Sequence, residues 1–342
     1  MLQLSTIDPV KSKLTALAVP VAEDKNLHRD QKINALVKKI KKFKEFKGAK
    51  DNTITYYEPQ GFNSERVILI GVGKADEIDL DRLRVMAGQM VKKAIDLDLA
   101  EIAILVPSLK NLKLDPEDTI TAIGEGARLA NHRFDKYKKP EHPPLKRIKL
   151  VLDSTATRYR SLIARVNTIC EGTLQARNWV NTPANDKTPA VFAGSIKKLA
   201  QKTGLGIDIR DERWLKKEGF NTILAVAQGS QNRPRLVVLR HQPKGAKQTV
   251  ALIGKGVTFD AGGINLKPTG SIETMKCDMS GAAAVAATLI TAARLKLNTN
   301  LVGVIPIVEN MPSGTAIRPG DIIKSWAGKT VEIGNTDAEG RL

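Results

Sequence analysis

Cysteine, aromatic residues and long apolar runs are all scarce in this chain of 342 residues. Its two cysteines, Cys170 and Cys277, are too few for a disulfide framework. No apolar run reaches the roughly 18–20 residues that are needed to cross a bilayer. The first residues lack the basic and apolar segments of a signal peptide. These absences predict a cytoplasmic protein with no membrane partner.

Histidine is also rare, which narrows the kinds of site that the chain can form. The four histidines are His28, His132, His142 and His241. None of them stands near the acidic residues of the second half, and this disfavours a histidine-rich zinc site. No histidine follows Cys277, so we interpret this cysteine as a packed residue and not as a nucleophile. The segment 254–256 lacks the GxxxxGKS or GxxxxGKT spacing of a phosphate loop, which disfavours nucleotide binding.

The chain is strongly basic, with 54 Lys and Arg against 36 Asp and Glu and a formal net charge of +18. In one lysine-rich segment, 33–43, the apolar residues follow helical spacing, which predicts an amphipathic helix with a solvated lysine face, ended by Gly48. A nucleic-acid or membrane-surface patch is the alternative interpretation. The low aromatic content and the lack of a recognised binding motif give it weak support.

Short apolar runs alternate with helical patterns, which predicts two α/β domains whose mostly parallel sheets are flanked by helices. We place an N-terminal α/β domain at 1–156, a linking helix at 157–180 and a second domain at 181–342. The predicted strands are 67–71, 101–106, 148–152, 222–226, 236–240, 249–253 and 301–307. The predicted helices of the two domains are 79–93, 116–130 and 280–297.

Four acidic residues stand in Gly-rich stretches of the second domain. Asp260 follows an apolar strand, Asp278 precedes an Ala-rich helix, and Asp337 and Glu339 are two residues apart. In an extended segment this last spacing places both carboxylates on one side. Four converging carboxylates repel one another unless cations balance them. Carboxylate oxygens suit Mg, Mn or Zn, and two such ions can share a hydroxide and polarise a carbonyl.

The stretches 254–284 and 335–342 carry a specific resemblance. In spacing and residue type they match the signatures of the cytosolic leucyl aminopeptidases, a dinuclear-metal family, and the chain resembles this family over nearly its whole length. Weaker support comes from 181–183, 225–230 and 309–314. The second domain is therefore expected to be a catalytic metallopeptidase domain.

The resemblance implies two divalent metal ions per subunit, Mn²⁺ or Zn²⁺. Lys255, Asp260, Asp278 and Glu339 match the ligands of the tighter ion. Asp260, Asp337 and Glu339 match those of the exchangeable ion, to which the main-chain carbonyl of Asp337 also contributes. Asp260 and Glu339 would then bridge the two ions. A metal-bound lysine must be neutral, and two adjacent dications would depress the pKa of Lys255 accordingly.

The resemblance also implies residues outside the metal ligands. Lys267 and Arg341 match the two catalytic residues, with Lys267 a charged stabiliser of the oxyanion and Arg341 the holder of a bicarbonate ion that acts as general base. Met275 and Asn335 correspond to substrate-lining positions, together with Lys267 and Asp278.

The implied reaction releases the N-terminal residue, preferably a leucine-like one, from a peptide. The free α-amine would bind one metal, the other would polarise the scissile carbonyl, and a bridging hydroxide would attack. Family members form hexamers, so the expected partners are peptide substrates and five further copies of the chain.

Family members usually continue well beyond Leu342, so we expect this chain to be truncated. Uncovered sheet edges and apolar faces would then make it poorly stable and weakly active on its own. Two other hypotheses stay open at this point. One is a basic nucleic-acid-binding protein, and the other is an inactive truncated partner that assembles with intact copies.

Overall fold

The computed structural model describes residues 1–152 and 154–342, and it divides them into two compact units. The first unit is Met1–Cys170 and the second is Glu171–Leu342, so that the division falls inside the long helix Arg160–Asn181. The domain boundaries drawn from the sequence, at 156 and 180, stay predictions.

A six-stranded sheet in the order β1-β6-β5-β2-β4-β3 forms the centre of the first unit. All of its pairings are parallel except that of β3 with β4. In chain order its elements are β1 Leu2–Ser5, β2 Leu17–Ala22, α1 Gln31–Ile40, β3 Thr53–Tyr57, β4 Arg66–Gly73, α2 Leu80–Asp96, β5 Glu101–Leu105, α3 Pro116–Ala130, β6 Arg147–Val151 and α4 Arg160–Asn181.

Both faces of this sheet are covered, which explains why its strands are continuous apolar runs. Alternate residues of β2 enter different cores: Leu17 and Val19 pack with α1, while Ala18 and Ala22 pack with α2 and α3. The predicted α/β fold class is confirmed, and the strands and helices predicted in this half all form.

The lysine-rich segment forms α1, which is shorter than predicted. The helix starts at the N-cap Asp30, whose side chain accepts hydrogen bonds from Lys32 N and Ile33 N, and it ends at Ile40. Its buried face consists of Ile33, Leu36, Val37 and Ile40, and Lys38 and Lys39 are exposed. Phe43, expected on the apolar face, lies beyond the helix and is exposed.

Pro20 lies inside the central strand β2, where a proline has no N–H to donate to a neighbouring strand. The pairing of β2 with β5 covers only Leu17 and Ala18, so Pro20 lies beyond it. The carbonyl of Pro20 accepts a hydrogen bond from Nε2 of the buried His28 at 2.7 Å. Burial lowers the pKa of His28 to about 4.

The second unit contains a mixed five-stranded sheet. The path of its strands is β10-β11-β8-β7, with β9 also paired to β11. Its elements in chain order are α5 Pro189–Lys202, β7 Gly206–Arg210, α6 Glu212–Glu218, α7 Asn221–Ala227, β8 Arg235–His241, β9 Thr249–Ile253, β10 Gly256–Asp260, α8 Ser280–Arg294, β11 Asn300–Asn310, β12 Ile322–Lys324 and β13 Thr330–Glu332.

The strand predicted at 222–226 is wrong, because this segment is the helix α7. An apolar run of five residues fits a buried strand and a buried helix turn equally well. Ala225, Val226 and Ala227 are consecutive and all buried, so the segment lacks the alternation of buried and exposed residues that marks a half-buried strand. The predictions at 236–240, 249–253, 301–307 and 280–297 correspond to β8, β9, β11 and α8.

The central strand of this sheet is β11, which is paired along both edges. It runs antiparallel to β8 on one edge and parallel to β9 and then β10 on the other. Strands β9 and β10 therefore lie end to end beside β11, separated by Gly254 and Lys255. Within the described residues no helix is long and apolar enough to cross a membrane.

The buried His28 should make the first unit acid-sensitive. Because its pKa is lower in the folded state than the ordinary 6.5, the unfolded state binds the proton first, and stability falls as pH drops from 6.5 towards 4, by about 1 kcal/mol per pH unit. His28→Gln retains a donor for Pro20 and should flatten this slope. Urea unfolding followed by tyrosine absorbance measures it, since all four tyrosines lie in this unit. If the free energy of unfolding falls with pH equally steeply in both proteins, His28 is not the cause of the acid sensitivity.

Candidate metal centre

The candidate site begins at the carboxyl ends of two parallel strands. Asp260 is the last residue of β10 and Asn310 the last of β11, and the two are paired in register. In open α/β sheets this edge is where ligands collect. The predicted strand 249–253 does not lead into Asp260; a strand of its own, β10, carries it.

The break between β9 and β10 places Lys255 below the first turn of α8. The Lys255 carbonyl accepts a hydrogen bond from Ala282 N at 2.8 Å, which satisfies one of the free N–H groups at the start of that helix. A Cβ on Gly254 would stand 2.7 Å from Ala282 Cα and 2.8 Å from Gly281 O. Only glycine therefore permits this approach of strand and helix.

Six charged side chains converge here: Lys255, Asp260, Lys267, Asp278, Asp337 and Glu339, which we call the carboxylate cage. Carboxylate oxygens of Asp260, Asp337 and Glu339 all lie within 4.8 Å of one another. Lys255 Nζ lies 2.8 Å from Asp278 Oδ2 and 2.6 Å from Glu339 Oε1. Lys267 Nζ lies 3.0 Å from Asp260 Oδ2 and 2.5 Å from Asp337 Oδ1.

Each of the two ammonium groups lies between two carboxylates. Burial by itself lowers the pKa of Lys255, but Asp278 and Glu339 outweigh it and raise this pKa above its ordinary value. Asp337 and Asp260 likewise outweigh burial and raise the pKa of Lys267. Burial raises the pKa of Asp278 despite the opposing effect of Lys255. Both lysines are thus charged here.

The cage retains unused coordination capacity. Glu339 Oε2 is a buried oxygen that accepts no hydrogen bond within the described residues, whereas the buried Asp278 Oδ2 and Asp337 Oδ1 each face a lysine ammonium. Buried acceptors without donors cost free energy. The carboxylate cage is rich in oxygen, negatively charged and partly desolvated, and such a group of side chains fits divalent cations.

A polar network joins the two loops that carry the cage. Thr336 Oγ1 donates to Gly262 O at 2.6 Å and accepts from Asn265 N at 2.9 Å. Thr336 N donates to Asn265 Oδ1 at 2.9 Å. Gly262 has a φ of +89°, and a Cβ there would stand 2.4 Å from Asn265 O. The loop after β10 can therefore fold over Asp260 only with glycine at 262.

The remaining predicted site residues lie in turns around the cage. Met275 is half-buried in the turn Ile272–Cys277, which leads to Asp278. Asn335 is exposed, and its Oδ1 accepts from Asp337 N at 2.8 Å. Asp337 and Glu339 are not in an extended segment as expected, since Glu339 begins a 3₁₀ turn that ends at Arg341, which is exposed.

Sequence reasoning missed two buried polar residues beside the cage. Asn310 donates to Asp260 Oδ1 and to the Thr336 carbonyl. Lys187 is 2% exposed, and its ammonium donates to the carbonyls of Trp179 at 2.7 Å and Lys276 at 2.8 Å. It thereby ties the end of α4 to the turn before Asp278. Burial lowers the pKa of Lys187 to about 8. In the sequence nothing distinguishes this lysine from the many exposed ones.

Comparison with known proteins assigns the chain to a family. Residues 174–342 match the catalytic domain of the cytosol aminopeptidase family. Residues 13–141 match the N-terminal domain of the same family. The chain belongs to the cytosol aminopeptidase family, as its resemblance indicated.

Curated relatives carry the name "probable cytosol aminopeptidase". One from Streptomyces avermitilis is 40% identical over 310 residues, which cover 86% of this chain and 59% of the relative. One from a Geobacter species is 35% identical over all of this chain and 70% of the relative. The chain thus spans little more than half of the Streptomyces protein.

Solved structures show the same architecture. The bottromycin maturation enzyme BotP in complex with Mn is 30% identical, with a TM-score of 0.83 over 96% of this chain and 66% of that one. A mutant of tomato leucine aminopeptidase is 26% identical, with a TM-score of 0.86 over 99% of this chain and 68% of that one.

Gly254→Ala should destabilise the second unit by about 1–3 kcal/mol, because the added methyl group meets backbone atoms that cannot move aside. Gly334→Ala is the matched control, since its Cβ would have no neighbour within 4 Å. Tryptophan fluorescence during urea unfolding reports on this unit alone, as all three tryptophans lie in it. Equal unfolding midpoints for the two variants would refute the steric argument.

Proposed function

We propose that this chain carries the two-metal centre of an aminopeptidase that removes N-terminal residues, preferentially leucine-like ones, from peptides. The observation that carries this proposal is the convergence of four carboxylates and two lysines, with the buried Glu339 Oε2 lacking a donor within the described residues. The names of the relatives support the peptidase activity, and the tomato enzyme supports the leucine preference. The complex of BotP with Mn supports manganese as a metal.

Five residues of the carboxylate cage would hold the ions: Lys255, Asp260, Asp278, Asp337 and Glu339. When bound, a pair of divalent ions, Mn²⁺ or Zn²⁺, supplies Lewis acidity and a water of lowered pKa. To act as a ligand, Lys255 must release its proton. Neighbouring dications favour that release, whereas Asp278 and Glu339 by themselves raise the pKa of Lys255.

Lys267 has a different role in this proposal. Its ammonium is held between Asp260 and Asp337, and these carboxylates keep it charged. A fixed cation at the edge of the cage can stabilise the oxyanion of a tetrahedral intermediate. We assign Arg341 to hold a bicarbonate ion as general base, and Met275 and Asn335, with Asp278 and Lys267, to contact the substrate.

The assembled protein is proposed to be a cytoplasmic homo-hexamer. The name of the curated relatives, cytosol aminopeptidase, supports the location. We further propose that the catalytic function resides in the 181–342 domain, to which the N-terminal domain at 1–156 is linked by the helix 157–180.

Asp260→Ala should abolish metal binding, because this carboxylate lies at the centre of the cage and is 2% exposed. Bound Mn²⁺, measured by elemental analysis after gel filtration, should fall from about two per chain towards zero. Asp208→Ala is the matched control: it removes a strand carboxylate paired with Arg210 outside the cage, and should leave the metal content unchanged. Retention of both ions by the Asp260 variant would refute the proposed site.

Lys267→Met should retain the metal ions and slow hydrolysis of a leucine anilide by about 10²–10³-fold in kcat, the usual effect of removing one oxyanion donor. The substitution preserves the length of the side chain and removes its charge. Metal content and initial rates are measured on the same samples. Loss of metal in this variant would show that Lys267 holds the cage together instead, and an unmodified chain that releases no aniline would contradict the proposed activity.

A further inference from the structure

Asn310 lies between the two loops that carry the carboxylate cage. Its side-chain Nδ2 is 2.8 Å from Asp260 Oδ1 and 3.0 Å from the carbonyl oxygen of Thr336. The residue is 2% exposed and ends the central strand β11. One amide group therefore contacts the loop after β10 and the loop before Glu339 at once.

The orientation of this amide is determined by its neighbours. Both contacts are with acceptors, a carboxylate oxygen and a carbonyl oxygen, and only the NH₂ group of an asparagine can donate to two acceptors. The amide oxygen lies against Gly263, where an added Cβ would stand 2.9 Å from it. With a φ of +65°, Gly263 leaves the space in which the side chain of Asn310 is held.

The two oxygens of Asp260 have different surroundings as a result. Oδ1 accepts from Gly262 N at 2.9 Å and from Asn310 Nδ2 at 2.8 Å, so both of its lone pairs are in use. Oδ2 faces the ammonium of Lys267 at 3.0 Å. The carboxylate is therefore fixed in rotation, with one oxygen directed at the backbone and the other at the cations of the cage.

We propose that Asn310 is a positioning residue that orients Asp260 so that Oδ2 alone is presented to metal ions, and that it holds the loop of Asp337 and Glu339 in reach through Thr336. The inference rests on the proposed two-metal function of the cage. Partners that orient metal ligands commonly change metal affinity by roughly 10–100-fold when they are removed.

Thr258 supplies the comparison that separates this role from ordinary packing. It lies on β10, is fully buried, and donates its hydroxyl to the carbonyl of Val308 on β11 at 3.1 Å. It thus joins the same pair of strands by a buried hydrogen bond that involves neither Asp260 nor Thr336. Thr258→Val removes that bond while preserving the shape of the side chain.

The test compares Mn²⁺ affinity in the unmodified chain, Asn310→Leu and Thr258→Val by isothermal titration. We expect roughly 10–100-fold weaker binding for Asn310→Leu and a change below about twofold for Thr258→Val. Equal weakening in both would assign the effect to general loosening of the sheet and overturn the proposal. So would unchanged affinity in Asn310→Leu.

A metal-free measurement tests the second half of the proposal. Hydrogen exchange of segment 335–342 should be faster in Asn310→Leu than in Thr258→Val, because the tie to the Thr336 carbonyl is lost. If Asn310→Leu does not fold, Asn310→Thr is the second variant, since threonine suits a strand and keeps one donor. It should bind Mn²⁺ more weakly than the unmodified chain, and equal binding would overturn the proposal.

An unmodified chain that binds no Mn²⁺ would refute the two-metal function itself. Normal binding by the unmodified chain together with an unaffected Asn310 variant would refute only the positioning role.

Discussion

The mutual repulsion of four carboxylates is the constraint on which the second unit depends. Like charges at this separation are tolerated in a partly desolvated place only when cations balance them. Lys255 and Lys267 supply two such cations, each between two acidic groups. The glycines at 254 and 262 and the polar network around Thr336 bring loops distant in sequence to the same point.

Much of the site could be predicted from the sequence through the resemblance to a family, and not from residue types alone. Acidic residues embedded in glycine-rich stretches, with lysines at fixed distances from them, match the family signatures residue by residue. The structure brings Lys255, Asp260, Lys267 and their partners together as a set. The α/β fold class could also be predicted from the sequence, because strands that are covered on both faces, such as β4 and β5, are short apolar runs between helical patterns.

What could not be predicted depends on three-dimensional neighbours. The helix α7 was taken for a strand because so short a run of mostly apolar residues has no distinguishing period. Strand β10 was missed because Gly256, Thr258 and Asp260 interrupt its apolar character. Asn310 and Lys187 matter because of the acceptors that they contact, a carboxylate and a carbonyl from distant parts of the chain. The residues next to them in the sequence do not reveal these contacts.

Strand β11 has no free edge, since β8 covers one side and β9 and β10 together cover the other. Segments of this kind belong to the last cooperative unit of a protein to open, while loops anchored at their ends open alone and often. Asp260 stands in register with the end of this strand, whereas Asp337 and Glu339 belong to a loop. Opening of this loop would therefore remove two of the five proposed ligands and leave Asp260 in place. Closing the loop again would complete the set of ligands without any refolding of the sheet.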